Sequence, residues 1–331
     1  MAVRGNGDDV IVVTGGAGYI GTPLCLDLAA TGARVRALDS LLHGQSDVAE
    51  QLERAGVELI RGDVRDEAAR ERALDGARAV VHLAAIVGDP ACARDPAASH
   101  EVNVEGTRAI VRDAGRLGVG RLVFASTCSN YGRMADPTLP IDESGVLAPV
   151  SLYAEQKVQM EKALLETNDS EVEPVCLRFA TIYGVAPRMR FDLTVNEFTR
   201  DLWAGRRLEV FGEQFWRPYV HVRDAGRAVR TVLAAPADRV VRDVFNVGRS
   251  GENYRKLDLV QEIRKQTDGG EVAYVHRDED PRDYKVSFDK IRAVLGFETD
   301  MTVPDGIAEV LDALEQNRFA NPFDGRYRNI P

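Results

Sequence analysis

The run Val10-Ile11-Val12-Val13-Thr14, followed at once by Gly15-Gly16-Ala17-Gly18-Tyr19-Ile20-Gly21, constrains this chain more than any other segment. Five apolar or β-branched residues in a row read as a buried strand. The glycines at 15, 18 and 21 spell G-x-x-G-x-x-G and open a helical pattern over 19–31. Such glycines serve a tight turn, an approach of pyrophosphate to bare backbone, and close packing of helix on strand. A strand that feeds a helix through this loop aims unpaired N–H groups and the positive end of the helix dipole at one spot, which suits a diphosphate.

Five further apolar runs, RVRAL (34–38), VELI (57–60), AVVHL (79–83), RLVFAS (121–126) and PVCLRF (174–179), alternate with helical patterns at 66–74, 96–117 and 152–166. Strands apolar on both faces belong to a parallel sheet covered by helices. The expected fold is therefore α/β: a Rossmann-type doubly wound parallel sheet, with ligands at the carboxyl ends of its strands. Beyond Phe179 the pattern loosens. Residues 1–179 read as the dinucleotide-binding domain, rejoined by about 220–247, and 180–316 as a smaller mixed α/β substrate domain. Periodicity is lost after 316, so 317–331 reads as an irregular tail.

With 331 residues, 44% of them hydrophobic, the chain can bury a core that needs neither metal nor disulfide. Forty-two Lys and Arg against 52 Asp and Glu leave a formal charge of -10 and no basic run. Binding to nucleic acid or to an anionic membrane is disfavoured, while a small anion held by a few arginines stays open. Cys25, Cys92, Cys128 and Cys176 form no C-x-x-C pair, so no metal site is expected and a reducing cytoplasm is the default location. The first residues, MAVRGNGDD, contain no apolar stretch of the kind a signal peptide needs.

Asp39 ends the second strand, where a carboxylate would accept hydrogen bonds from both adenosine ribose hydroxyls and repel a 2'-phosphate. That favours NAD over NADP. Asp63 follows the third strand and could bind the adenine amino group or cap the helix that begins near Asp66. Tyr153 and Lys157 stand at i and i+4 on a predicted helix, so both face one way, and an ammonium beside a phenol favours the phenolate that a base requires. Ser126 and Thr127 close the fifth strand at its carboxyl end, which points hydroxyls toward the ligand crevice.

These segments do not stand alone. TGGAGYIG with Asp39, GDV at 62–64, HLAA at 82–85, Asn103, STCSNYG at 126–132, Tyr153 with Lys157, LRFATIYG at 177–184 and WRPYVHVRD at 216–224 follow one another in order. Together they resemble the extended short-chain dehydrogenase/reductase family, and within it the NAD-dependent nucleotide-sugar epimerases and dehydratases, over roughly residues 9–316. The resemblance implies an NAD site built from Gly15, Gly18, Tyr19, Ile20, Gly21, Asp39, Asp63, Val64, Leu83, Ala84, Ala85 and Asn103, with Tyr153 and Lys157 beside the nicotinamide ribose. It implies that Tyr153 takes a proton from the sugar hydroxyl, that Lys157 supports it, and that Thr127 hydrogen-bonds the reacting oxygen. On the substrate side it points to Thr127, Cys128, Ser129, Thr181 and Asn196. Arg217 would grip the diphosphate with Arg277, for which Arg282 is a near competitor.

The ligand so implied is a nucleotide-diphosphate sugar, UDP- or dTDP-linked, and the protein a homodimer joined through helices near 96–117 and 152–166. Dehydratases of this family place Asp then Glu directly after the catalytic Thr; here Cys128 and Ser129 stand there. Uronate decarboxylases carry Glu at the Ser129 position, and that too is missing. The remaining chemistry needs only Tyr153, Thr127 and NAD, which is epimerisation at C4 through a transient 4-keto sugar. The alternatives are a 4-ketoreductase or dehydrogenase, or a 4,6-dehydratase or uronate decarboxylase on the same fold. Thr181 stands where galactose epimerases have Asn, and a similar PRxR run in members acting on glucuronate makes Arg190 a candidate for a sugar carboxylate.

Overall fold

All five residues of the first strand are buried, as a central strand covered on both faces requires. The computed structural model describes residues 10–134, 136, 139–166, 172–278, 280 and 282–329. Its strands are β1 (Val10–Thr14), β2 (Arg34–Asp39), β3 (Glu58–Arg61), β4 (Ala77–His82), β5 (Arg121–Thr127), β6 (Pro140–Ile141) and β7 (Glu173–Phe179). They continue as β8 (Thr181–Tyr183), β9 (Leu208–Phe211), β10 (Trp216–His221), β11 (Asp243–Val247), β12 (Asn253–Arg255), β13 (Val272–Val275) and β14 (Lys285–Val286).

Seven strands form one parallel sheet in the order β11-β7-β5-β4-β1-β2-β3, a Rossmann-type arrangement flanked by helices. The chain runs from β1 outward to β3, then crosses to β4 on the other side of β1. That reversal is the switch point at whose carboxyl edge α/β proteins place their ligands. β1 pairs in parallel with β2 and β4, so the loops after β1 and β4 open side by side.

The chain divides into two compact units. The first comprises 1–127, 151–178 and 226–245, and the second 128–150, 179–225 and 246–331. In the first, Val12, Leu38, Val80, Leu122 and Phe124 pack against Ile110, Met160 and Leu164. In the second, Tyr183, Phe198, Leu202 and Tyr219 pack against Leu259, Ile263, Ile307 and Leu311. Residues 128–150 thus join the second unit rather than the first, because the two-residue strand β6 pairs with β14 and Tyr131 Oη donates to Asn246 Oδ1 at 2.7 Å. Partners so far apart in sequence, joined through so short a strand, leave no periodic trace.

Two other segments differ from their expected form. The pattern at 96–117 is broken into an α-helix Pro96–His100, a π-helical turn Glu101–Gly106 and an α-helix Thr107–Arg116. Residues 317–329 hold only one 3-10 turn, Gly325–Tyr327, yet they pack on the second unit through Phe319 and Tyr327. Among the described residues no helix is long and apolar enough to cross a membrane, and no cluster of three or more His, Cys, Asp or Glu could hold a metal ion.

Candidate active site

In the first unit the glycine loop turns on Gly15, whose φ of +71° disfavours any side chain. Its N–H donates to Leu38 O at 2.8 Å, and its carbonyl accepts Gly18 N–H at 3.0 Å. A Cβ on Gly15 would lie 2.9 Å from Ala84 N in the loop after β4. On Gly21 it would lie 2.8 Å from Gly16 Cα and closer still to the Gly15 carbonyl oxygen. The helix Gly21–Ala30 that follows has no side-chain cap and no acidic residue in its first turn, so its positive end is left for a ligand. A bare-backbone cradle at a helix N-terminus fits the diphosphate of NAD. Gly16, which the motif spacing passes over, has its own reason: a Cβ there would sit 2.6 Å from Ala37 Cβ on β2.

Asp39 closes β2 almost fully buried, its Oδ2 accepting Ala17 N–H at 2.9 Å and its Oδ1 Leu41 N–H at 2.8 Å. Those two amides fix the orientation of the carboxylate. Asp63 lies beside Arg65, which donates to both its oxygens and holds its carboxyl below the ordinary value. The cap of the next helix is Asp66, which accepts Ala68 N–H, and not Asp63. Val64 is buried, and its carbonyl takes an N–H of Arg70. Leu83 N–H donates to Thr14 O at 3.1 Å and Ala84 N–H to Thr14 Oγ1 at 3.2 Å, which ties the loop after β4 to that after β1. Tyr19 is buried and Ile20 stands at the helix N-cap; Ala85 continues the same loop.

His82, quoted in the sequence only as part of a motif, proves to be a hub. Its ring is inaccessible and lies between Thr14 Oγ1 at 2.7 Å and Thr107 Oγ1 at 2.9 Å. Thr107 donates its hydroxyl proton to Asn103 O, so the hydrogen of His82 belongs on Nε2, and Nδ1 accepts from Thr14. Burial first, and Lys157 second, push its pKa down to about 3, which keeps the ring neutral. The relay joins the glycine loop to the turn that carries Asn103. Asn103 in turn clamps Ile86, accepting its N–H at 2.8 Å and donating to its carbonyl at 3.0 Å, and donates to Gln156 Oε1 at 2.9 Å. An inserted residue in the π turn re-aims side chains in this way.

Tyr153, Lys157 and Glu161 occupy successive turns of the helix Leu152–Glu166 and face β5. Lys157 Nζ donates to Ala125 O at 2.8 Å, two residues before Thr127, and lies 4.7 Å from the Phe124 ring centroid and 5.9 Å from that of Tyr153. Burial lowers its pKa to about 8, so it remains largely protonated at pH 7. Glu161 accepts Ser126 Oγ–H at 2.5 Å and is held bidentately by Arg178. Ser126 is thereby committed to the framework, and Thr127 is the hydroxyl at the strand end.

In the second unit Cys128 is buried, and Ser129 Oγ receives Tyr284 Oη–H at 3.4 Å. Thr181 on β8 pairs with Tyr219 on β10, the strand that carries Arg217. Arg217 donates to Asp280 Oδ2 at 2.7 Å, to Trp216 O and to Arg282 O, with its guanidinium 5.4 Å from the Tyr284 ring centroid. Burial alone would raise the Asp280 carboxyl, but Arg217 and the Arg282 N–H outweigh it and hold it below its ordinary value. Arg282 approaches the same carboxylate at 3.5 Å, whereas Arg277 stacks 5.3 Å above Phe211. The structure therefore gathers Arg217 with Arg282, and Arg277 stands apart from that pair. Arg190 is bound bidentately by Asp192 at 2.9 and 2.8 Å. Asn196 is buried with its carboxamide on Gly184 N–H at 2.9 Å and Arg190 O at 2.9 Å.

Comparison with known proteins agrees with this architecture. Residues 11–248 match the model of the NAD dependent epimerase/dehydratase family. The UDP-glucose 4-epimerase of Rhizobium meliloti (strain 1021) is 32% identical over 316 residues, spanning 87% of this chain and 92% of that protein. A dTDP-glucose 4,6-dehydratase of Streptomyces niveus is 28% identical, spanning 93% of each. Among solved structures, the UDP-glucose 4-epimerase of Thermotoga maritima with UDP-glucose superposes with a TM-score of 0.83 at 25% identity, over 94% of this chain and 100% of that one. MoeE5 in complex with UDP-glucuronic acid and NAD superposes with a TM-score of 0.81 at 28% identity, over 93% and 99%. With its glycine cradle, its buried Asp39 and its Tyr153–Lys157 face, the chain belongs to the NAD-dependent epimerase/dehydratase family.

Proposed function

We propose that the protein is a nucleotide-sugar 4-epimerase acting on a UDP-hexose, with UDP-glucose and its C4 epimer as the pair. The observation that carries this reading is the residue set around the end of β5. A Tyr153–Lys157 face and Thr127 are present, while the two positions after Thr127 hold Cys128 and Ser129 instead of carboxylates. Proton delivery at C6 and removal at C5, which dehydration needs, have no carboxyl group at those two positions.

NAD, held by the glycine loop and Asp39, supplies the hydride acceptor and donor at C4 when bound. Tyr153 acts as the base, taking the proton of the C4 hydroxyl and later returning it to the same oxygen once the keto sugar has turned its other face. Lys157, charged at pH 7, favours the phenolate electrostatically and is kept in place by Ala125 O. Thr127 hydrogen-bonds the reacting oxygen. Arg217, with Arg282 in preference to Arg277, grips the substrate diphosphate, since these two already converge on one carboxylate, Asp280. Arg190 is engaged by Asp192, which favours a neutral hexose over a uronic acid. A cytoplasmic homodimer completes the proposal; the reducing location is in keeping with four buried cysteines that form no disulfide.

The test is incubation of the purified protein with UDP-glucose and no added cofactor, followed by product NMR. Conversion to UDP-galactose with cofactor retained supports the reading. A 4-keto-6-deoxy product, or NADH formed in proportion to substrate consumed, would overturn it.

A further inference from the structure

We propose that the segment 319–329 is a strap that positions the loop 184–192 for substrate, with Phe319 and Tyr327 as its positioning residues. The proposal rests on the reading that Thr181, Arg190 and Asn196 flank the sugar-nucleotide site.

The loop is held from two directions within the second unit. On its inner side Asn196 binds Gly184 and Arg190 O, while Glu309 accepts Val185 N–H at 2.9 Å. Between Val185 and Asp192, Arg200 Nη1 donates to Phe191 O at 3.3 Å, and the strap adds three further hydrogen bonds. Phe191 N–H donates to Tyr327 O at 2.9 Å, Arg188 donates to Arg328 O at 3.1 Å, and Asn329 N–H donates to Asp192 Oδ2 at 3.1 Å. Three aromatic rings close the joint edge to face: Phe191 with Phe319 at 5.1 Å, Phe191 with Tyr327 at 5.7 Å, and Phe319 with Tyr327 at 5.4 Å. A buried arginine, Arg200, extends it by lying 5.5 Å from the Phe191 centroid and 4.6 Å from that of Phe323.

The Asn329 contact reaches furthest toward function. Asp192 Oδ2 accepts both from Asn329 N–H and from the Arg190 guanidinium, so the strap fixes the carboxylate that fixes Arg190. A segment whose one regular element is the short 3-10 turn Gly325–Tyr327 has little reason of its own to order. Here it orders on a loop whose Phe191 N–H, Arg188 guanidinium and Asp192 carboxylate it engages directly. Releasing it should leave the glycine cradle of the first unit untouched, because every contact named lies in the second.

The experiment compares the full chain with Phe319→Ala, Tyr327→Ala and the conservative Phe319→Tyr, using amide hydrogen exchange and steady-state kinetics. Each alanine variant should speed exchange across 186–192 by about tenfold or more, with β1 amides unchanged. KM for UDP-glucose should rise about tenfold, with kcat and bound NAD within about twofold of wild type. Phe319→Tyr should match wild type. Unchanged exchange in the loop would overturn the strap, and faster exchange with unchanged KM would overturn its role in substrate positioning. If the wild type does not turn over UDP-glucose, the epimerase reading falls instead. The strap is then judged by exchange and by the affinity for UDP, which should fall by a similar factor in the alanine variants.

Discussion

Replacing Lys157 by Met tests the electrostatics of the site without reference to any substrate. Lys157 is buried, bonded to Ala125 O at 2.8 Å, and burial lowers its pKa from 10.5 to about 8. Below pH 8 folded and unfolded chains both carry the proton, and the folded chain bears the cost of the buried ammonium. Between pH 8 and pH 10.5 the folded chain releases the proton first, so the unfolded chain binds more protons and stability rises with pH. The rise amounts to about 3 kcal/mol across the window. Methionine fills a similar volume without charge and abolishes this rise, but it leaves Ala125 O without a donor, a loss of about 1–3 kcal/mol. At pH 7 the two effects nearly offset, whereas near pH 10.5 the wild type is the more stable. The measurement is urea unfolding of both cofactor-free proteins at the two pH values, followed by circular dichroism. Other lysines and tyrosines titrate in this range, so the quantity read is the difference between the two proteins. A difference that stays constant from pH 7 to pH 10.5 refutes the assignment of a depressed pKa to Lys157.

Further outcomes follow from the same geometry. Tyr153→Phe should lower kcat by a factor of about 10²–10⁴ while bound NAD is retained, as measured by turnover and by the absorbance of released cofactor. Glu161→Gln removes the carboxylate that Arg178 holds bidentately in the interior and should destabilise the fold by about 3–5 kcal/mol in urea titrations. A loss below 1 kcal/mol would show that the Ser126–Glu161–Arg178 framework is not needed. Gly21→Ala forces a methyl against the Gly15 carbonyl, so the cradle must open and the purified protein should lose its NAD, which heat release and absorbance will detect.

Much of the first unit was legible in the sequence because its physics is local. A buried parallel strand must be apolar on both faces, and a loop that turns at positive φ against another backbone must carry glycine, as Gly15 and Gly21 do. The Tyr153–Lys157 pair was legible for the same reason, since helical spacing alone puts both side chains on one face. Other features depend on partners far along the chain. His82 becomes a hub only through Thr14 and Thr107. The π turn around Asn103 needs one extra residue that apolar periodicity does not register. The 128–150 segment joins the second unit through a strand of two residues, too short to show alternation. Arginine roles were the least legible, because exposure and charge partners decide them. Arg217 and Arg282 meet at Asp280, while Arg277 goes to Phe211 and Arg190 to Asp192.

The central claim, inversion at C4 through a transient ketone, is tested most directly with UDP-glucose that carries deuterium at C4. A 4-epimerase returns the same hydrogen to the carbon from which it came, so the UDP-galactose formed should keep the label at C4, with no hydrogen from solvent there or at C5. Loss of the label to solvent or to free NADH, or solvent hydrogen appearing at C5, would contradict the mechanism and with it the assignment of the active site.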